Sequence, residues 1–255
     1  MKSNTWKEKS KMTKLCVISP KYDLFASLKG DMVFVQADWI KDLDIDLIIA
    51  FNELRGDKEL IIDNQHPVDD STVVDQVTTE ELMKTARDVH ATEVIIPDIY
   101  RNAEYTLLSV KRFFDSGQHT KYGTYNYMFV PQGDNVDSWR ICLATFLRTD
   151  YAAVVKTIGV PKWLGEQRPG VIGDIPTEYM IHFLGVRTGW GELEYHPRVR
   201  SWDTSLPYAM AQRGLMMSGV SWVAKYTLSD VDIAVPSILD INIKFAKALL
   251  TEQST

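Results

Sequence analysis

The stretch EVIIPDIYRNAEYTLLSVKRFFDSGQHTKYGTYNYMFVPQGDNVDSWRICLATFL, residues 93–147, decides the fold. It opens on a short β-branched run, Glu93–Asp98 (EVIIPD), and passes into a helical pattern over Glu104–Phe114. A second strand pattern follows at Tyr127–Pro131 (YMFVP), and a second helical one over Asp137–Leu147. Apolar residues recur every three or four positions in the helical parts and run together in the strand parts. Strands separated by crossover helices run parallel, so the stretch reads as two consecutive β-α units.

The same alternation extends in both directions. Upstream, Leu60–Asp63 (LIID) has the pattern of a buried strand, and Thr78-Thr-Glu-Glu81 reads as a capping box before a helix that carries Leu82, Ala86 and Val89 on one face. Met32–Ala37 (MVFVQA) and Leu47–Phe51 (LIIAF) read as the earliest strands. Downstream come Ala152–Ile158 ending at Gly159, then an irregular stretch rich in Gly and Pro over Pro161–Pro176. Met180–Leu184 (MIHFL) and Val199–Trp202 read as strands, Leu206–Arg213 as a helix and Ile238–Leu250 as a packing helix. This many units in 255 residues favours an α/β fold of the (β/α)8, TIM-like barrel type over an open doubly wound sheet. Neither G-x-G-x-x-G nor G-x-x-x-x-G-K-[ST] occurs to support the open sheet. One barrel domain over residues 15–255 is expected, after a basic N-terminal arm, residues 1–14.

Composition sets the outer bounds. With 45% hydrophobic and 24% charged residues, the chain is that of an ordinary globular protein. Cys16 and Cys142 are too few for a disulfide framework or a four-sulfur zinc site. No apolar run reaches the roughly 18–20 residues of a membrane helix, and the N-terminus lacks the apolar core of a secretory signal. A cytoplasmic protein is expected. Twenty-eight Lys+Arg against 34 Asp+Glu give a net charge of −6, which excludes a globally basic nucleic-acid binder. Local basic groups remain: Lys2, Lys7, Lys9, Lys11 and Lys14 in the arm, and Arg187, Arg198, Arg200 and Arg213 later. A solvated, frayed terminus accounts equally for the arm, and single surface arginines usually bind nothing so specific as a phosphate.

Polar residues fall in a regular place. The hydrophobic runs end in turn at Asp63-Asn64, Asp98, Gln132-Gly133, Gly159, Gly185 and Asp203. In a barrel the C-terminal strand ends converge on one mouth, where chemistry is done. Three carboxylates, a carboxamide and three glycines would meet there, a set suited to a planar polar ligand. Each alone has a plainer reading as an N-cap, an Asx-turn or a turn glycine. Together they are harder to dismiss, because like charges in a partly dry mouth are costly. Paired carboxylates in a cleft point to glycosyl chemistry, one attacking the anomeric carbon and the other handling the leaving group's proton.

FVPQGDNVDSWRICLATFL (129–147) resembles the V-Q-G strand-to-helix segment of the queuine and archaeosine tRNA-guanine transglycosylases. IHFLGV (181–186) is similar to that family's LMGVG strand, and RSWDTSLP (200–207) to its D-x-F-D-x-x-x-P nucleophile segment. LIIDN (60–64) and the VIIPD that ends at Asp98 stand where the family has an acid/base and a base-reading aspartate. The resemblance covers about residues 60–215 and rests on shared order more than on any one motif. It implies a barrel enzyme in which Asp203 displaces guanine as nucleophile and Asp63 transfers the proton. Asp98, Gln132 and the Gly133 amide would read the base edge, while Gly159 and the Leu184-Gly185 backbone would contact the ring. Asp57 and Asp69 compete with Asp63 for the proton-transfer position.

Departures from the family refine the expectation. The C-x-C-x-x-C…H zinc module of the tRNA enzymes is absent, residues 63–67 read DNQHP in place of the family's serine-glycine-glycine-phenylalanine segment, and Tyr208 replaces an arginine. A short, zinc-free chain is more similar to the DNA-guanine transglycosylase branch of bacterial DNA-modification clusters and phages. DNA would then be the partner, with tRNA the alternative, and a 7-deazaguanine such as 7-cyano-7-deazaguanine the incoming base. No cofactor and no metal are expected: His66, His90, His119, His182 and His196 lack metal-site spacing. His182, within a strand, reads as a satisfied core residue, and His66 as a loop residue near the site. Trp139, Trp163, Trp190 and Trp202 are candidates to stack on bases, with core packing the plainer reading; Trp139 falls on a packing face and Trp202 adjoins Asp203. Competing functions are a nucleic-acid N-glycosidase with the same two carboxylates and a non-catalytic base-binding subunit.

Overall fold

The computed structural model describes residues 13–64, 77–185, 198–215, 217 and 235–252. Eight parallel strands close into a barrel: β1 (Lys14–Val17), β2 (Met32–Gln36), β3 (Leu60–Asp63), β4 (Glu93–Ile95), β5 (Asn126–Phe129), β6 (Val155–Val160), β7 (Met180–Phe183) and β8 (Val199–Thr204). Each strand pairs with its neighbour in sequence, and β8 closes on β1 with Cys16 opposite Asp203. The (β/α)8 expectation is met. Helices Ile45–Arg55, Thr79–Asp88, Ala103–Asp115 and Val136–Phe146 fill successive crossovers, while β6 and β7 are joined by short helical turns over 162–174. Leu206–Gln212 and Val235–Glu252 follow β8.

The strand pattern yields two cores. Cys16, Met32, Phe34, Ile61, Ile95, Met128, Val130 and Leu184 fill the barrel interior. Alternate residues such as Leu15, Val33, Leu60, Val94 and Phe129 pack outward under the helices, as the period of two requires. Two helices begin in reciprocal caps, Thr78 with Glu81 and Asn135 with Ser138, so the capping box at Thr78 stands as expected.

Two readings are corrected. Leu47–Phe51 is not a strand but the centre of the Ile45–Arg55 helix. Asp44 caps that helix by accepting from the Asp46 N–H, Gly56 ends it at a φ of 57°, and Ile48, Phe51 and Arg55 form its buried face at helical spacing. Two early strands are in fact β1 and β2; β1 is four residues long and begins at Lys14, which pairs with Glu59. Residues 1–12 of the basic arm lie outside the described residues. Among the described residues, no helix is long and apolar enough to cross a membrane.

Candidate active site

Asp203 sits near the end of β8 on the interior side of the barrel and is 2% exposed. Its Oδ1 accepts the Gly185 N–H at 2.6 Å, and its Oδ2 lies 3.0 Å from His182 Nε2 on neighbouring β7. Gly185 has a φ of +65°, a conformation that glycine adopts without a steric penalty. This turn is clamped from below. Arg168, fully buried, donates to the carbonyls of Val160 (3.0 Å), Leu184 (3.1 Å) and Gly185 (2.5 Å), and its guanidinium lies 4.3 Å from the centre of the Phe183 ring. Across the closing seam, burial and, second, the charge of Asp203 push the Cys16 thiol well above its ordinary range.

A second cluster lies beyond the ends of β4 and β5. Gln132 Nε2 donates to Asp98 Oδ2 at 2.5 Å. Gln132 Oε1 accepts both the Trp163 indole N–H (2.8 Å) and the Arg101 backbone N–H (3.1 Å). Both of those groups can only donate, so they fix which end of the carboxamide is oxygen. Arg101 holds a φ of 55°, rare for a non-glycine residue. Its guanidinium donates to the Asp134 carbonyl at 2.8 Å and lies 5.7 Å from the Trp163 ring centre.

Asp63, at the end of β3, is 1% exposed, and its Oδ1 accepts the Asn64 N–H at 2.8 Å. Asn64 is fully buried, and neither polar atom of its side chain has a hydrogen-bond partner among the described residues. Asp57 is exposed and precedes β3, at the opposite end of the strand from Asp63. Asp69 and His66 lie outside the described residues.

The glycines serve packing in addition to any ligand. A Cβ on Gly133 would come within 2.4 Å of Ser138 Oγ and 2.5 Å of the Trp139 N, so the start of the Val136–Phe146 helix needs the space. A Cβ on Gly159 would meet Val130 Cγ2 at 2.7 Å and Leu184 Cδ1 at 2.9 Å, inside the barrel. Leu184 is itself an interior side chain.

Of the proposed nucleic-acid arginines, the three among the described residues do not gather at the mouth. Arg198 donates to the carbonyls of Ile172, Ile175 and Pro176 just before β7, and Arg200 pairs with buried Glu93 at the start of β4. Both therefore lie at the N-terminal end of the barrel, away from its mouth, because they precede or open β8 instead of ending it. Arg213 is exposed at the far end of the Leu206–Gln212 helix, about 10 Å along from β8. Arg187, Trp190 and His196 lie outside the described residues. Trp202 packs outward against Phe183, with ring centres 5.6 Å apart, and not toward the mouth. Among the described residues, Arg101 and Lys162 are exposed cations beside the site, each in the segment that follows a strand end. These two, with Trp163, Arg168 and His182, are the residues sequence reasoning passed over or read as core. Only an X-Trp loop after a strand, KW at 162–163, hinted at them.

No protein-family model and no curated protein matches this chain. The mouth thus speaks through its own residues. One carboxylate has a hydrogen-bonding group at each oxygen and keeps a further lone-pair direction on each. A second carboxylate ends β3. A fixed donor, the remaining Gln132 amide hydrogen, stands beside a fixed acceptor, Asp98. That combination can hold a planar amide-like edge while a carboxylate attacks a carbon attached to it.

Proposed function

We propose that this protein is a transglycosylase that replaces guanine in DNA with a 7-deazaguanine through a covalent aspartyl-glycosyl intermediate. The observation that carries the reading is the ordered Gln132–Asp98 pair, set at the same end of the barrel as Asp63 and Asp203. A donor beside an acceptor complements the O6 and N1–H edge of guanine, whereas adenine presents the reverse order. A 7-deazaguanine has the same edge and differs only on the five-membered ring, so one pocket serves both the leaving and the incoming base.

The steps balance within these residues. An Asp203 oxygen attacks C1′ of the target nucleoside as the C1′–N9 bond breaks, and protonated Asp63 gives its proton to the departing guanine. Asp63, now a carboxylate, takes the N9 proton of the incoming 7-deazaguanine. The new N–C1′ bond then forms as the ester bond breaks and Asp203 regains its charge. A base inside a duplex must leave the stack first, and the exposed Arg101 and Lys162 would supply charge to the flanking phosphates. The reading places the reaction in the cytoplasm, in a host cell if a phage encodes the chain, and involves no cofactor.

The test uses guanine-labelled DNA and tRNA, each with and without 7-cyano-7-deazaguanine. Label released from DNA only with the deazaguanine present, and abolished in Asp203→Ala, is the expected result. Release without added base would make the protein an N-glycosidase, and release from tRNA alone would move the substrate to RNA. Binding of the deazaguanine with no release from either substrate would leave a non-catalytic base-binding protein.

A further inference from the structure

The interior of the barrel holds a polar chain that the reaction above does not use. Thr157 Oγ1 donates to Glu93 near the barrel floor, and Glu93 also pairs with the Arg200 guanidinium. Arg200 Nε lies 3.4 Å from Ser201 Oγ, Ser201 Oγ lies 2.8 Å from His182 Nδ1, and His182 Nε2 lies 3.0 Å from Asp203 Oδ2. His182 and Ser201 are fully buried. The chain exists because the β7–β8 register shifts by one residue: Ile181 pairs with Val199, but His182 pairs with Ser201. The extra residue, Arg200, is thereby turned inward along with Ser201, as a β-bulge allows.

We propose that His182 is the positioning residue for Asp203, held as a neutral imidazole with its proton on Nε2. The direction of the hydrogen bonds follows from the one member that cannot accept. Ser201 is fully buried and its hydroxyl meets, among the described residues, only Arg200, which can only donate, and His182 Nδ1, so Nδ1 is the one acceptor within reach of the Ser201 hydrogen. Nδ1 is then an acceptor, and the ring proton sits on Nε2, donating to Asp203. The ring lies parallel to Phe34, 9° between planes and 6.1 Å between centres, which holds the imidazole in the orientation the chain requires.

What this does for chemistry rests on the reading of Asp203 as nucleophile. When a carboxylate becomes a glycosyl ester it loses its charge. An imidazolium beside it would be left as an unpaired buried cation, at a cost that opposes the step. A neutral N–H donor fixes the attacking oxygen without that penalty, and Arg200 keeps its own counter-ion in Glu93.

The test combines a spectrum with kinetics. In protein labelled with 15N-histidine, the resonances lost in His182→Gln identify His182, and the Nε2–H tautomer is expected. An Nδ1–H tautomer or an imidazolium at neutral pH would overturn the proposal. Gln places its amide nitrogen near the position of Nε2, so His182→Gln should keep base exchange within about tenfold of wild type. His182→Phe preserves the stack and should lose about a hundredfold in kcat with KM for the deazaguanine unchanged. Equal losses in the Gln and Phe variants would make His182 merely structural. Ser201→Ala leaves Asp203 to accept from Nε2 and removes the donor at Nδ1, so the Nδ1 resonance should move while Nε2 keeps its proton; an unchanged Nδ1 resonance would break the relay. A wild type that exchanges no base would defeat the functional reading alone, and the spectrum would still decide the relay.

Discussion

Gly185 does two jobs at one backbone position. Its left-handed conformation aims an N–H at Asp203, and its missing side chain leaves room for Lys162, whose Cδ would stand 2.9 Å from an added Cβ. Gly185→Ala should lower stability by about 1–2 kcal/mol through backbone strain and slow base exchange, measured together by thermal melting and single-turnover release. Arg168 is the other single residue on which the turn depends. Arg168→Met would take a donor from three carbonyls, of which, among the described residues, only that of Val160 keeps another, the Leu184 N–H, and each lost bond is worth about 1 kcal/mol. Its urea midpoint should fall well below that of Gly185→Ala. Asp203, Asp63, Asp98 and Gln132 were legible because strand-end position is written in sequence. His182 was not, because its meaning depends on the strand beside it and on a one-residue shift in pairing. Arg198 and Arg200 misled for the opposite reason: neighbours in sequence, they belong to the other end of the strand.

At the scale of elements, the loops that carry the site are anchored by the helices they enter. Gln132 and Gly133 lead directly into the Asn135–Ser138 capping box, and Gly133 packs against the first turn of that helix. Gly133→Ala should destabilise by roughly 1–3 kcal/mol from overpacking and weaken binding of the deazaguanine by displacing Gln132; equilibrium dialysis of the base would read the second effect. Thr78→Ala, at a box far from these contacts, should cost about 1 kcal/mol in urea unfolding and leave base binding unchanged. Both boxes are local patterns of a few residues, and the Thr78 box was read directly. The Ile45–Arg55 helix was misread because a run of apolar residues satisfies strand and helix alike. Asp44 before it and Gly56 after it were the deciding punctuation. The first strand, Lys14–Val17, was hidden by its length and by the basic residues before it.

Taken whole, the barrel encloses groups that hold their protons tightly. Burial pushes the Cys142 thiol up to about 11 and the Tyr127 hydroxyl up to about 12, and raises the Cys16 thiol as well. Such groups bind protons more strongly folded than unfolded, so their contribution is intact below the ordinary thiol pKa of 9.0 and is lost as pH climbs through the folded values. Stability should be level from neutral pH to about 8.5 and fall above about 9; Cys142→Ala should flatten part of that fall in urea titrations. The barrel as a class was legible from the repeated β-α unit, since period and count survive errors in single elements. Its closure has a temporal side. The pairing of β1 with β8 joins residues 14–17 to 201–204, so a chain leaving the ribosome exposes the open edge of its first strand until residues 201–204 have been made. Protein truncated during synthesis before β8 would carry two unpaired sheet edges, the surfaces through which chains aggregate, and a cell making this barrel depends on uninterrupted translation or on chaperones that cover the first strand.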